Sequence, residues 1–444
     1  MHMPPAQTVD QYMEQQMVRF HIPGAAVAVV QDGQIVKLST YGKANLEQDT
    51  PVTPHSAFQI ASSTKLLTSL ALMQLVAEGK IELDAPVARY VPNTPASWAG
   101  MTVRQLAAHA SGLKPGPFPA SAHTTDDAVE LARKQTLAAK PGAVSAYGSL
   151  DFSVLANIME KVSGKSYEQL IADRVAAPLG MTVRFDHTSV TPDGSRMNAD
   201  IVPNRVVTYR PGANGLQSYR FLYPAYTYAA GGAYTSIEDM AHLLQGVMAH
   251  KLVPAALDET MWKPYRLNDG KDASFAVCWT VSSYRGERQV GHSGGPALSD
   301  VVYYPARKLG IVVLTNQFKL MPNLAHGVAN FYLPPVKTLN APGIADADPA
   351  RTTRVKAALA ALKEGKADAT QFSGSAKEQL ADLNEWLPLQ TGGLPDLTRL
   401  VLLGESPDRS RRSYRAVYGA DQTLRWVVRF DQQGLISDVD SSDE

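Results

Sequence analysis

Two stretches of this chain could carry acyl-transfer chemistry on a serine. In FQIASSTKLLTS, Ser62 and Lys65 form S-x-x-K, and in GHSGG the residues Gly291 to Gly295 satisfy G-x-S-x-G. A serine hydroxyl is scarcely ionised at neutral pH, so either site needs a base to take its proton. Residues three apart share one face of a helix, which brings an amine within reach of a hydroxyl. A helix N-terminus adds a field that favours negative charge there. The G-x-S-x-G pattern demands more: a strained strand-to-helix turn, a helix directly after it, and an acid and then a histidine downstream. Here Pro296 follows Gly295, PALSDVVYY runs into a strand, and His326 is the single downstream histidine. The elbow reading fails on both conditions, and Ser62 is the better nucleophile, with Lys65 beside it.

A chain of this length carries roughly one S-x-x-K by chance. A second copy, Ser111 to Lys114, lies in the Gly/Pro loop SGLKPGPFP, where no helix fixes its geometry. It reads as the chance match. Nearby His109, in AAHASGL, reads as a buried hydrogen-bonded histidine at a helix end rather than as a base. Cys278 is the sole cysteine, which excludes an intramolecular disulfide and a cysteine-built metal site. In the run AVCW it reads as a buried thiol.

These residues need elements to hold them. The apolar positions Leu66, Leu67, Leu70, Leu72, Met73, Leu75 and Val76 recur at helical spacing, with Gly79 as a stop, so a helix is expected over Ser62 to Glu78. Further helices are expected at Thr8–Arg19, Val103–Ala108, Ser149–Ser163, Tyr167–Val175 and Ile237–His250. Asp32-Gly33 joins two apolar runs, Ala25–Val30 and Gln34–Tyr41, as a hairpin turn. Strands return at Ala276–Tyr284, Val301–Tyr304 and Gly310–Leu314. A sheet begun early, interrupted by helices and completed late has no βαβ alternation. That pattern points to an antiparallel α+β architecture.

Leu333–Ala350 is rich in proline and small residues and reads as a linker. The expected division is residues 1–335, a linker at 336–350, and a small α+β unit over 351–444. In that unit helices are expected near Arg351–Lys363 and Ala376–Trp386, with strands at Leu397–Leu403, Ser413–Tyr418 and Leu424–Phe430.

Lys+Arg and Asp+Glu both number 42, so the formal net charge is zero and the basic footprint of a nucleic-acid binder is missing. Hydrophobic residues make up 45 % and charged ones 19 %, enough for a large core and against wholesale disorder. No apolar run is long enough to span a bilayer. MHMPPAQ lacks the basic and apolar regions of a signal peptide. A periplasmic or secreted location is expected if a signal was removed, and a cytoplasmic one otherwise.

In chain order, S-x-x-K, MTVRQLAAHASGL, PGAVSAYGS, PLGMT, AAGGAYTSIEDM, GHSGG and GIVVLTN together resemble the serine β-lactamase and penicillin-binding-protein superfamily. The resemblance is to its class C β-lactamase and family VIII carboxylesterase branch, and it covers Val9 to about Tyr332. It implies an antiparallel sheet flanked by helices plus an all-helical region. It implies Ser62 as the acylated nucleophile, Lys65 as its basic partner, and Tyr147, in the family's Y-x-N element, as the proton shuttle. The backbone N–H groups of Ser62 and Gly295 become the oxyanion hole. His292-Ser293-Gly294 falls where the family has K-T-G or H-x-G, on a strand lining the site. The aromatic run Tyr219–Tyr234 reads as ordinary core or as a wall of the substrate cleft; the resemblance places it near the mouth, so some of Tyr223, Tyr226 and Tyr228 are expected there.

Two departures matter. His292 stands where many β-lactamases carry lysine, so a fixed positive charge gives way to a mostly neutral ring. Ser149 stands where Y-x-N has asparagine, and a hydroxyl donates one hydrogen bond where an amide donates two. Both weaken recognition of an amide that bears a carboxylate, and both suit ester cleavage. The expected activity is a carboxylesterase on small esters with weak β-lactam turnover. The alternatives are a peptidase on D-amino-acid or cell-wall peptides or a β-lactamase, and, from another class, a penicillin-binding or sensing protein that hardly turns over. No metal or organic cofactor is implied. The C-terminal unit is weakly similar to cone-shaped modules of the nuclear-transport-factor-2 type, and an accessory or dimerisation role is expected for it.

Overall fold

The computed structural model describes residues 6–114, 122–190, 197–212, 215–295, 299–318, 324–334, 339–391, 394–419 and 422–443. It divides into two compact units: Met17–Ser282 with Gln289–Leu320, and Met1–Gln16 with Ser283–Arg288 and Met321–Glu444.

The main sheet has seven strands in the order Thr280–Tyr284, Glu287–Gly294, Ser299–Tyr304, Leu309–Thr315, Gly24–Gln31, Gln34–Asn45 and Thr50–Pro51. Neighbours run antiparallel, with Val27 opposite Val313 and His292 opposite Val301. The early hairpin therefore pairs with the last strand to arrive, as expected of an interrupted sheet. Asp32 and Gly33 both have positive φ, 50° and 79°, the conformation a two-residue hairpin turn requires. Gly24–Gln31 and Leu309–Thr315 are buried along almost their whole length, which explains their unbroken apolar runs. Helix Ile237–Met248 packs on this sheet: a methyl on Gly310 would lie 2.8 Å from Leu244 Cδ1.

In sequence, the helical region lies between the two halves of the sheet. Helix Thr64–Ala77 is buried on nearly every side, as its apolar composition requires, and Lys65 is its single charged residue. Helices Val103–Ala107 and Leu150–Ser163 fall close to expectation. Tyr167–Ile171 continues as a π-helical turn over Ala172–Ala176. Helix Thr125–Lys134 was not anticipated, although Thr124 and Asp127 form a capping box at its start. The expected strand Ala276–Tyr284 is shorter, Thr280–Tyr284. Cys278 has φ of 66° and its N–H bonds to Ala276 O, so Ala276–Trp279 turns instead of extending. The thiol is buried, as read.

In the other unit, a four-stranded sheet runs in sequential order: Leu397–Glu405, Arg411–Tyr418, Gln422–Phe430 and Ile436–Asp443. Helices Pro349–Lys363, Gly374–Glu378 and Leu380–Thr391 accompany it, the last two replacing one expected helix. Val355, Leu359, Phe372, Tyr414, Trp426 and Val428 belong to its core. The fourth strand was not expected. Of the linker expected at 336–350, residues 336–338 lie outside the described residues. Among the described residues, no helix is long and apolar enough to cross a membrane.

Candidate active site

Ser62 sits on a 3₁₀ turn, Ala61–Ser63, that leads into helix Thr64–Ala77. Its neighbours are fixed from both sides. Ile60 N–H bonds to Ala233 O at 2.9 Å, and Ser299 Oγ donates to Ile60 O at 2.7 Å. Ser63 Oγ lies 3.0 Å from His292 O and 2.7 Å from Ser299 Oγ. Thr64 Oγ1 donates to Ala61 O at 2.6 Å. Ala61 itself has φ of 45°, in the left-handed region that costs an L-residue about 1–2 kcal/mol. Such a conformation persists where the surroundings over-determine it, and these contacts do so. Ser62 remains only partly buried between two buried neighbours.

One turn on, Lys65 is 1 % exposed. Its Nζ lies 2.8 Å from Tyr147 Oη and 2.6 Å from Ala230 O, and Tyr147 Oη lies 2.8 Å from Ser62 Oγ. Serine, phenol and amine thus form one hydrogen-bonded chain. Burial lowers the Lys65 amine to about 7, against smaller upward pulls from Cys278 and Asp151. Burial of its hydroxyl end pushes Tyr147 up to about 12, although the residue as a whole is 44 % exposed. A phenolate is therefore the costly state and a free amine the accessible one. In that state Lys65 keeps an N–H for Ala230 O and a lone pair for the Tyr147 hydroxyl. The arrangement can pass a proton from Ser62 through Tyr147 to Lys65.

His292 is 5 % exposed, and its ring lies 6.1 Å from that of Tyr147. Burial, then the proximity of Lys65, holds it well below the ordinary histidine range, so the ring is neutral at pH 7. Nδ1 is 2.7 Å from Ser293 O, which assigns its hydrogen to that bond. Nε2 then carries a lone pair, with no partner among the described residues. Ser293 Oγ donates to Asp300 Oδ1 at 2.9 Å. Gly291 and Gly294 are needed for close backbone approach rather than for an elbow: added methyls would lie 2.0 Å from Val301 O and 2.1 Å from Ile60 O. Gly295 is exposed and follows the strand's last residue, while Pro296 lies outside the described residues.

Ser149 precedes helix Leu150–Ser163 and makes no side-chain cap bond. The three tyrosines separate. Tyr223 lies against Gly231, beside the carbonyl that holds Lys65, and a methyl on Gly231 would come within 2.3 Å of its ring. Tyr226 and Tyr228 are each 2 % exposed and belong to the main core, with the Tyr228 hydroxyl on Asp186 O at 3.0 Å. The aromatic wall expected from the run Tyr219–Tyr234 is narrower because these two rings fill the interior. In the second S-x-x-K, Ser111 is buried and Lys114 exposed. Sequence reasoning missed the Ala230 carbonyl, a backbone group that no residue type announces. Among the described residues, no group of three or more His, Cys, Asp or Glu side chains could hold a metal ion.

The profile of the Beta-lactamase family matches residues 7–329, and the chain belongs to that family. Protein flp of Staphylococcus aureus (strain MW2) is 26 % identical over 336 residues, 70 % of this chain and 63 % of that protein. The chain thus spans less than two thirds of the length of such curated relatives. The putative penicillin-binding protein PbpX of Bacillus subtilis (strain 168) is 30 % identical over 238 residues, 53 % of this chain and 58 % of PbpX. Two solved structures share the fold. The octameric penicillin-binding protein homologue from Pyrococcus abyssi superposes with a TM-score of 0.62 at 21 % identity, covering 98 % of both chains. EstCE1, a hydrolase with promiscuous acyltransferase activity, gives 0.58 at 22 % identity over 70 % of this chain and 93 % of its own. Family and neighbours agree on the fold.

Proposed function

We propose that this protein cleaves small neutral carboxylic esters through an acyl-enzyme on Ser62. The observation that carries the reading is the chain Lys65–Tyr147–Ser62, with 2.8 Å at each step. As Ser62 Oγ attacks the ester carbonyl, its proton passes to Tyr147 while the phenolic proton passes to Lys65. The backbone N–H groups of Ser62 and Gly295 receive the developing oxyanion. Collapse breaks the bond to the alkoxide, which takes the proton back through Tyr147 and leaves as alcohol. Water then attacks the Ser62 ester with Tyr147 and Lys65 as base, releasing the acid and restoring the serine hydroxyl. The scheme uses no cofactor, and Tyr223 forms the near wall of the cleft.

Ester preference draws support from His292 and Ser149. A neutral ring with an Nε2 lone pair offers a substrate carboxylate no cation, and Ser149 offers an amide carbonyl one donor instead of two. Weak β-lactam turnover fits as a side activity. A second reading, a penicillin-binding function, draws support from the names of PbpX and the Pyrococcus abyssi homologue. We assign hydrolysis to residues 1–335 and an accessory role to 351–444, beyond a linker at 336–350. The octameric state of the Pyrococcus abyssi homologue supports oligomerisation.

The test compares p-nitrophenyl butyrate with nitrocefin at one pH. The ester should have the higher kcat/KM. A nitrocefin advantage of about tenfold, 1.4 kcal/mol in transition-state binding, overturns the ester assignment in favour of a β-lactamase or peptidase.

A further inference from the structure

Beneath the Ser62–Tyr147–Lys65 chain lies a second polar group that the reaction scheme leaves unused. His109, Ser111 and Asp151 are each 2 % exposed or less. Leu113 N–H donates to Ser111 Oγ at 2.9 Å, and Ser111 Oγ donates in turn to Asp151 Oδ1. Asp151 Oδ2 stands 3.3 Å from His109 Nδ1, and Gly148 N–H donates to that same Nδ1 at 3.2 Å.

The directions of these bonds decide the proton's place. Nδ1 accepts from Gly148, so it carries a lone pair, which Gly148 N–H and Asp151 share, and the ring hydrogen sits on Nε2, which has no hydrogen-bond partner among the described residues. An ionised carboxylate facing that lone pair would find no hydrogen to accept. A carboxylic acid has one to donate, and Oδ2 is the oxygen left to carry it. Burial agrees, raising the Asp151 carboxyl to about 8 against the opposing pulls of the Ser111 bond and of Lys65. His109 is held well below its ordinary range by burial and Lys65, so it stays neutral.

His109 grips the residues on both sides of Tyr147. Its backbone carbonyl accepts Ala146 N–H at 2.8 Å, and its ring accepts Gly148 N–H. Between them, the Tyr147 ring lies over the imidazole with centroids 4.4 Å apart. His109 holds φ of 56°, and the bonds from Gly142 N–H to Ala110 O and from Ser145 Oγ to Ala108 O tie down the rest of the loop.

We propose that His109, locked by an uncharged Asp151 carboxyl group, is the positioning residue that holds the Tyr147 hydroxyl between Lys65 and Ser62. This rests on the reading of Ser62 as the acylated serine. The Ser111 of the discounted S-x-x-K thereby acquires a role as the donor that orients Asp151. An uncharged acid is replaceable by an amide: in Asp151→Asn, Oδ1 still accepts from Ser111 and the NH₂ still donates to Nδ1. Neither Asp151→Ala nor His109→Phe can do this, though the latter keeps the ring stack.

The experiment measures kcat and KM for p-nitrophenyl butyrate, the rate of Ser62 labelling by a fluorophosphonate, and the melting temperature. Asp151→Asn should stay within about threefold of wild type in kcat and labelling rate. Asp151→Ala and His109→Phe should lose roughly 30–100-fold in both, with KM within about twofold, as misplacing a reacting group does. The double variant should be no slower than His109→Phe alone, because the two residues act as one unit. Loss in Asp151→Asn equal to that in Asp151→Ala overturns the proposal, since an ionised carboxylate would then be required. So does a wild-type kcat in His109→Phe, or a change confined to KM. Should Asp151→Ala fail to fold, the contrast between Asp151→Asn and His109→Phe decides in the same terms. If Ser62 of the wild-type protein takes no label, the acyl-enzyme reading itself falls and the proposal with it. If Ser62 is labelled but the variants do not separate, the positioning proposal falls alone.

Discussion

Gly294 and Ile60 approach so closely that a methyl group on the glycine would lie 2.1 Å from the carbonyl oxygen of Ile60. That oxygen also accepts the Ser299 hydroxyl and belongs to the turn carrying Ser62. The strand and the serine turn are therefore fitted to each other with no room for a side chain. Gly294→Ala should cost about 1–3 kcal/mol of stability through overpacking. It should also slow phosphonate labelling of Ser62 by roughly tenfold to a hundredfold, because the turn must move. An unchanged labelling rate in a folded variant would show that the contact does not set the serine's position.

This contact also shows where sequence reading stops. Ser62 and Lys65 were legible because their spacing coincides with a strongly apolar helix ended by Gly79, and the Asp32-Gly33 hairpin because its two residues tolerate positive φ. The left-handed φ of Ala61 was not, since alanine carries no such mark and the conformation is imposed by Ile60, Thr64 and Ser299. Cys278 turned in an apolar run for the same reason: a tertiary bond to Ala107 O, with a local one to Ala276 O, overrode strand propensity. Asp151 is one of two acids in a largely apolar helix, and its partner His109 lies 42 residues earlier, beyond any local pattern. The strand Ile436–Asp443 reads SDVDSSD over most of its length, so backbone pairing with Gln422–Phe430 defines it where hydrophobic alternation does not.

If Ser62 is the acylated residue, Ser62→Ala should lower ester hydrolysis by roughly 10⁴-fold or more and abolish phosphonate labelling. Ser293→Ala should retain labelling, because its hydroxyl is bonded to Asp300 instead of to a base. Ser111→Ala should also retain it, at a reduced rate. Peptide mapping locates the label, and a label on Ser293 would restore the elbow reading.

If Lys65 is the base of the proposed reaction, it should set the acid side of the pH profile. Below about pH 7 it is an ammonium with no lone pair, and above it a free amine, so kcat/KM for a neutral ester should rise with pH through about 7. Lys65→Arg should be inactive across the range. Stability gives an independent reading. The folded amine sits at about 7 and the unfolded one near 10.5, so between these values the unfolded chain binds more protons and stability rises with pH. Lys65→Met removes this dependence. It should be most stabilising below pH 7, by at most roughly 4–5 kcal/mol before the lost hydrogen bonds are counted. Denaturant melts at pH 6 and pH 9 test this, and a larger gain at pH 9 contradicts it.

On the proposed reading, the substrate preference turns on His292 and Ser149. A fixed ammonium near the site strengthens binding of a substrate carboxylate by about 1.5–3 kcal/mol through a charge-assisted hydrogen bond. His292 supplies none, because its Nδ1 hydrogen is committed to Ser293 O and its Nε2 presents a lone pair. Lysine at this position would bring three donors and a charge into a site where Lys65 is already buried nearby. Repulsion between the two amines would push Lys65 further down, so the acid limb of the pH profile should move below 7. Asparagine at 149 would add the second donor an amide carbonyl needs. His292→Lys with Ser149→Asn should therefore raise the ratio of nitrocefin to p-nitrophenyl butyrate kcat/KM by at least about tenfold, with ester activity falling as packing around the strand is disturbed. Each single variant should move the ratio less than the pair. A ratio that stays at the wild-type value in a folded double variant would mean that neither residue selects against anionic amides.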